Sequence, residues 1–180
     1  MTLSALLVID AQTSFRHAPY WSEADLPAYL EKQQALIDGC ARQGIPVVRI
    51  FHVSEQGHFS LASGHVQTLD GLSLDPAVTF HKSYHSALAS TPLAAWLTKR
   101  RISRLIVSGI RTEQCCETTT RHASDSGWAV DYVSEATLTF PMTHKATGRV
   151  YSPAEIRERT ELVLEGRFAR ILTVAQALEG

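Results

Sequence analysis

The chain has 180 residues, 44% of them hydrophobic and 19% charged, with a formal net charge of -1. That length suits one domain with a full core, here taken as residues 1–180, and is short for two. The balanced charge, with no basic cluster interleaved with aromatics, excludes an obvious nucleic-acid surface or anionic-membrane patch. Three cysteines, two of them adjacent, cannot build a disulfide framework, so a reducing cytoplasm is the expected compartment.

The N-terminal MTLSALLVID lacks a basic leader and runs straight into an apolar segment, which reads as a strand over Leu3–Ile9 ended by Asp10. No apolar run reaches transmembrane length. A helix follows over Pro27–Arg42, with Pro27 in its first turn, an apolar stripe that includes Cys40, and Gly44 at its exit. Ile45–His52 reads as the second strand. Ser54–Ser73 is rich in Gly, Ser and His without a period, so it reads as a long loop of the kind that often carries function. Ala77–Phe80 reads as a short third strand leading into His81 and Lys82. Thr91-Pro92 opens a helix to about Arg100, with Thr91 as cap.

Leu105–Ser108 is the fourth strand, Cys115–Ser126 a helix closed by Gly127, and Ala129–Val133 the fifth strand. Ser152-Pro153-Ala154-Glu155 has capping-box spacing and starts a helix ending near Gly166, before a sixth strand at Ala169–Leu172. Strands alternating with helices predict a single-domain, three-layer α/β/α fold on a mostly parallel sheet, Rossmann-like, in the order 3-2-1-4-5-6.

The richest stretch is Leu105–Cys116, LIVSGIRTEQCC. A strand breaks at Gly109, Thr112 can cap a helix, and Cys115 falls in that helix's first turn. Unpaired N–H groups and the macrodipole there would lower a thiol's pKa and could hold an oxyanion. Taken alone, the segment fits a nucleophile and a small buried residue equally well. In open parallel sheets, however, ligands bind beyond the carboxyl ends of strands near the switch point. Asp10, Lys82 and Cys115 all stand at such ends, and together they suffice for covalent acyl transfer.

Three blocks in order carry a resemblance: LLVIDAQTSF (Leu6–Phe15), HKSYHSALASTPLAAWL (His81–Leu97) and LIVSGIRTEQCCETTTRHASDSGWAV (Leu105–Val130), with Glu135-Ala136 after them. On these the chain resembles the isochorismatase-like cysteine hydrolases, a superfamily that includes nicotinamidase and N-carbamoylsarcosine amidohydrolase. The resemblance implies a catalytic triad of Asp10, Lys82 and Cys115. It also implies a non-proline cis peptide at Ile110–Arg111, whose N–H groups would form an oxyanion hole with that of Cys115. Gln12, Phe15 and Tyr84 lie where the family lines its pocket, and for Phe15 and Tyr84 a place in the core fits as well as a pocket wall. Arg111 departs from the small residue common there and could bind a substrate carboxylate, pair with Glu113 or a subunit neighbour, or face solvent.

Cys116 lies about 100° around the helix from Cys115 and is expected in the core. Nicotinamidases hold a metal with an Asp-x-His motif and further histidines. Here His52, His58 and His65 occur without that motif, so no metal and no other cofactor is expected. The implied chemistry is hydrolysis of a small amide or ureido C–N bond, with Asp10 as base, then acid, then activator of the water that resolves a thioester. The alternatives are vinyl ether cleavage, which needs no thiol, and a non-catalytic thiol-redox or binding module. The expected partner is a small molecule whose pocket is walled by Ser54–Ser73, by Thr137–Phe140 and by a second subunit of a homo-oligomer. Nucleic acid and membrane are not expected.

Overall fold

The structure, a computed structural model, describes residues 3–179. In chain order its elements are β1 (Leu3–Ile9), α1 (Leu26–Arg42), β2 (Val47–His52), β3 (Val78–Lys82), α2 (Leu93–Lys99) and β4 (Ile102–Ile110). They continue with α3 (Glu117–Asp125), β5 (Ala129–Leu138), β6 (Met142–Thr143), β7 (Val150–Tyr151), α4 (Pro153–Leu164), β8 (Arg170–Ile171) and α5 (Val174–Glu179). Six strands pair in parallel in the order β3-β2-β1-β4-β5-β8, as the alternating pattern predicts. The antiparallel β6–β7 pair stands outside that sheet.

The two-residue period of β1 feeds both cores. Ala5, Leu7 and Ile9 pack with Leu93, Leu97, Ala123 and Leu164 from α2, α3 and α4. Leu6 and Val8 pack with Leu36, Ile37 and Cys40 of α1 and with Val174 and Ala177 of α5. A central strand buried on both faces reads as a continuous apolar run, and LSALLVI is nearly that. Cys40 is core, and burial pushes its thiol up to about 12.

Several expected boundaries move for physical reasons. β3 extends through Lys82, so the lysine ends the strand instead of following it. β4 runs from Ile102 to Ile110 and is not broken at Gly109. The glycine is there because the backbone takes φ 125° and because a Cβ would sit 1.9 Å from the carbonyl oxygen of Ile9. β5 continues to Leu138 past an irregularity in its pairing with β4 between Val107 and Gly109. α2 begins one residue after Pro92, while the Thr91 hydroxyl accepts the Leu93 N–H at 3.1 Å. The Ser152/Glu155 capping box forms as predicted. Among the described residues, the β6–β7 pair and α5 are elements that the sequence reading lacks. The loop over residues 54–73 holds two short 3-10 turns.

Candidate active site

Asp10 leaves β1 with φ 51°, a left-handed turn, while its N–H stays bonded to the Ile50 carbonyl at 2.8 Å. This turn carries its carboxylate toward β2 and β3. Lys82, at the end of β3, places Nζ 2.8 Å from Asp10 Oδ2 and 3.2 Å from Cys115 Sγ. Both charged side chains are wholly buried. The three predicted residues therefore meet in one cluster. The ammonium has two further acceptors, His52 Nδ1 and the Tyr84 carbonyl oxygen, each at 3.1 Å.

Cys115 does not sit in the first turn of an α-helix. It lies in a π turn, Thr112–Cys116, that runs into α3. The Thr112 hydroxyl bonds that of Thr137 at 2.8 Å and caps nothing. The Ile110–Arg111 peptide is cis, at the bond the resemblance singles out.

Electrostatics overturn the expected acid thiol. Burial and the adjacent Asp10 charge push the Cys115 pKa well up, and Lys82 only partly offsets them. For Lys82, burial works against the ammonium, but Asp10 and Cys115 outweigh it and raise its pKa. The resting arrangement is an Asp10–Lys82 ion pair beside a neutral thiol, so the sulfur becomes a thiolate only as its proton leaves. Cys116 is fully buried in the core, and its thiol is held well above the usual range by that burial.

The sulfur opens onto a cavity of about 170 Å3 whose walls include Phe15, Tyr20, Phe59, His52, His85 and Gln114. An apolar cavity of roughly 150 Å3 suffices for benzene, so a ligand built on a single ring fits. A larger cavity of about 670 Å3 lies between the β6–β7 pair and α4 and contains none of the three clustered residues. Of the two places open to Phe15, the structure shows the cavity wall, packed edge-on against Phe59 at 5.0 Å. Ser54 and Phe59 come from the loop expected to contribute. Phe140 stands behind, 5.4 Å from the Tyr20 ring.

Three of the expected pocket residues do other work. Gln12 is fully buried: its Oε1 accepts the His52 N–H at 2.7 Å, and its Nε2 donates to the His52 carbonyl at 3.1 Å. It therefore clamps His52 and has no amide group left for substrate. Tyr84 is 64% exposed and does not line the cavity, and its useful group is the carbonyl that accepts from Lys82. Arg111 is buried against Glu113 at 3.0 Å, with its guanidinium 4.8 Å from the Tyr20 ring centre and 5.6 Å from that of Phe140. Thr139 donates to the other Glu113 oxygen at 2.6 Å. Arg111 thus supports the Tyr20 wall and is absent from the cavity lining.

His52, His85 and Tyr20 line the cavity without having been singled out for it. The signal that could have found His85 is its place three residues after Lys82, within a block already matched. The loop histidines do not gather as a ligand set: His58 and His65 stack on His17 at 5.5 and 3.7 Å. Among the described residues, the group whose donor atoms converge is Asp10, His52 and Cys115. The Lys82 ammonium already lies within 3.2 Å of all three. These donors fit a lysine and do not fit an added metal ion.

A family model described as the isochorismatase domain matches residues 4–152. Nicotinamidase 3 of Arabidopsis thaliana is 33% identical over 162 residues, covering 81% of this chain and 78% of that protein. An uncharacterized isochorismatase family protein of Bacillus subtilis, YrdC, is 26% identical over 177 residues, covering 97% and 94%. A solved structure of an isochorismatase-family protein from Chromobacterium violaceum superposes with a TM-score of 0.88 at 25% identity, covering 99% of this chain and 92% of that one. With the sheet order, the buried Asp–Lys–Cys cluster and these matches in hand, the chain belongs to the isochorismatase family.

Proposed function

We propose that this chain hydrolyses the C–N bond of a small amide or ureido compound through a thioester on Cys115. The observation that carries the reading is the Lys82 ammonium, 2.8 Å from Asp10 and 3.2 Å from the sulfur, beside a cavity of about 170 Å3. Asp10 takes the thiol proton as the sulfur attacks the carbonyl carbon. The ammonium, paired with the carboxylate before the transfer, balances the charge that passes to the sulfur. Backbone N–H groups around Arg111 and Cys115 receive the oxyanion. Asp10 returns its proton to the nitrogen, the C–N bond breaks, and ammonia or an amine leaves a thioester for water to resolve.

Charge bookkeeping narrows the substrate. Lys82 is spent on Asp10 and Arg111 on Glu113, so among the described residues no unpaired arginine or lysine lines this cavity. A buried carboxylate without a partner is strongly disfavoured. The pocket therefore favours neutral amides over carboxylate-bearing ones. The similarity to a protein named Nicotinamidase 3 supports amide chemistry over cleavage of a vinyl ether.

The test is ammonia release from a panel of small amides and ureides. Cys115→Ala is expected to abolish it, whereas Cys116→Ala, altering a core thiol, is expected to keep it. The reverse pattern overturns the assignment of the nucleophile. Cleavage of a vinyl ether by Cys115→Ala with no amide turnover in the wild type would install the competing chemistry.

A further inference from the structure

We infer that His85 is a further catalytic residue, an imidazole at the solvent edge of Cys115 that activates the water which hydrolyses the thioester. The inference rests on the amide reading above. Its Nδ1 lies 3.6 Å from Cys115 Sγ, and its ring lines the same cavity. Asp10 borders the same cavity at its floor, with no solvent exposure and with Oδ2 held by the ammonium at 2.8 Å. The hydrolytic water has to come through the cavity mouth, where the exposed His85 stands.

The chain around His85 is tied on both sides, so the backbone that presents the ring is held in place. The Ser83 and Tyr84 N–H groups both donate to the Ser90 hydroxyl, at 3.0 and 3.4 Å, and the Tyr84 carbonyl accepts from Lys82. After it, the Ala87 N–H donates to the Thr119 hydroxyl of α3 at 3.1 Å, and the Ser86 hydroxyl bonds His122 at 2.8 Å. The groups facing the His85 ring are the Cys115 sulfur and the His52 ring, stacked at 6.4 Å, with Lys82 and Asp10 beyond the sulfur. An imidazole is the side chain best suited to move a proton near neutral pH.

The step balances. Water oxygen bonds the thioester carbonyl carbon as His85 Nδ1 takes one water proton. The tetrahedral intermediate collapses, the C–S bond breaks, and its electron pair goes to the sulfur, which regains a proton from the imidazolium. The acid leaves and the free thiol returns.

His85→Phe keeps an aromatic wall and His85→Gln a polar one, and neither can shuttle the proton. General base catalysis contributes roughly 10²–10⁴-fold, so kcat should fall by that order in both. The burst of released ammonia should remain, the acyl–enzyme should accumulate in intact mass, and free imidazole should restore part of the turnover of His85→Ala. Wild-type kcat in His85→Phe, or loss of the burst with no accumulated adduct, overturns the inference. A wild type that turns over no amide sinks the amide reading instead. The pairing is then judged by iodoacetamide alkylation of Cys115 against pH: the His85→Phe profile should differ from that of the wild type, and superimposable profiles overturn it.

Discussion

Lys82 is surrounded more closely than its chemistry normally allows. An ammonium has three N–H donors, and here Asp10, His52, the Tyr84 carbonyl and Cys115 all lie within 3.2 Å of a fully buried one. Removing one member of a buried ion pair leaves the other charge uncompensated, which costs about 3–5 kcal/mol. Lys82→Met should therefore lose activity and unfold at lower urea by an amount of that order. Lys82→Met combined with Asp10→Asn should recover much of the stability and none of the activity. A Lys82→Met protein as stable as the wild type would contradict the buried pair. At this scale the sequence was informative where residues sit in matched blocks, as Asp10, Lys82 and Cys115 do. It was not informative about side-chain direction: Gln12, Tyr84 and Arg111 are spent on His52, solvent and Glu113. The acidity of Cys115 was also out of reach, since the burial that opposes it arises only on folding.

Among the elements, β4 and its passage past β1 decide whether the cluster forms. Leu3 to Ile9 pair with Ile102 to Gly109, and at the end of that ladder the chain turns into the segment bearing Cys115. Gly109→Ala would drive a Cβ to 1.9 Å from backbone that cannot move without displacing Asp10, at a φ of 125°. The expected loss is on the order of 3 kcal/mol or more, with activity falling at least as steeply. Unchanged denaturation and turnover in that variant would show the approach to be looser than described. The sheet, α1, the capping box of α4 and the order of strands were legible because periodicity and caps are local. The β6–β7 pair was not, since MTHKATGRVY carries no alternation and each strand is two residues long. Gly109 was read as a strand end because close approach to another strand leaves the same residue as a break does.

For the whole molecule, the cluster couples folding to pH through His52. Burial, then the Lys82 charge, lower its pKa from 6.5, with Asp10 opposing and His85 adding to the fall. A histidine whose folded pKa is depressed binds fewer protons folded than unfolded, so stability rises with pH. Its contribution is fully present above the unfolded value of about 6.5 and is lost as pH falls through the lower folded one. The difference in urea midpoint between wild type and His52→Asn should therefore shrink as the pH is taken from 7.5 to 5, and a constant difference would contradict the neutral, lysine-bound imidazole. Among the described residues no helix is long and apolar enough to cross a membrane.

The proposed catalysis depends on a covalent bond to one sulfur. Rapid quenching of the enzyme with an excess of a turned-over amide, followed by peptide mass mapping, should find the acyl mass on Cys115 and none on Cys40 or Cys116. Turnover with every cysteine unmodified at all quench times would contradict it.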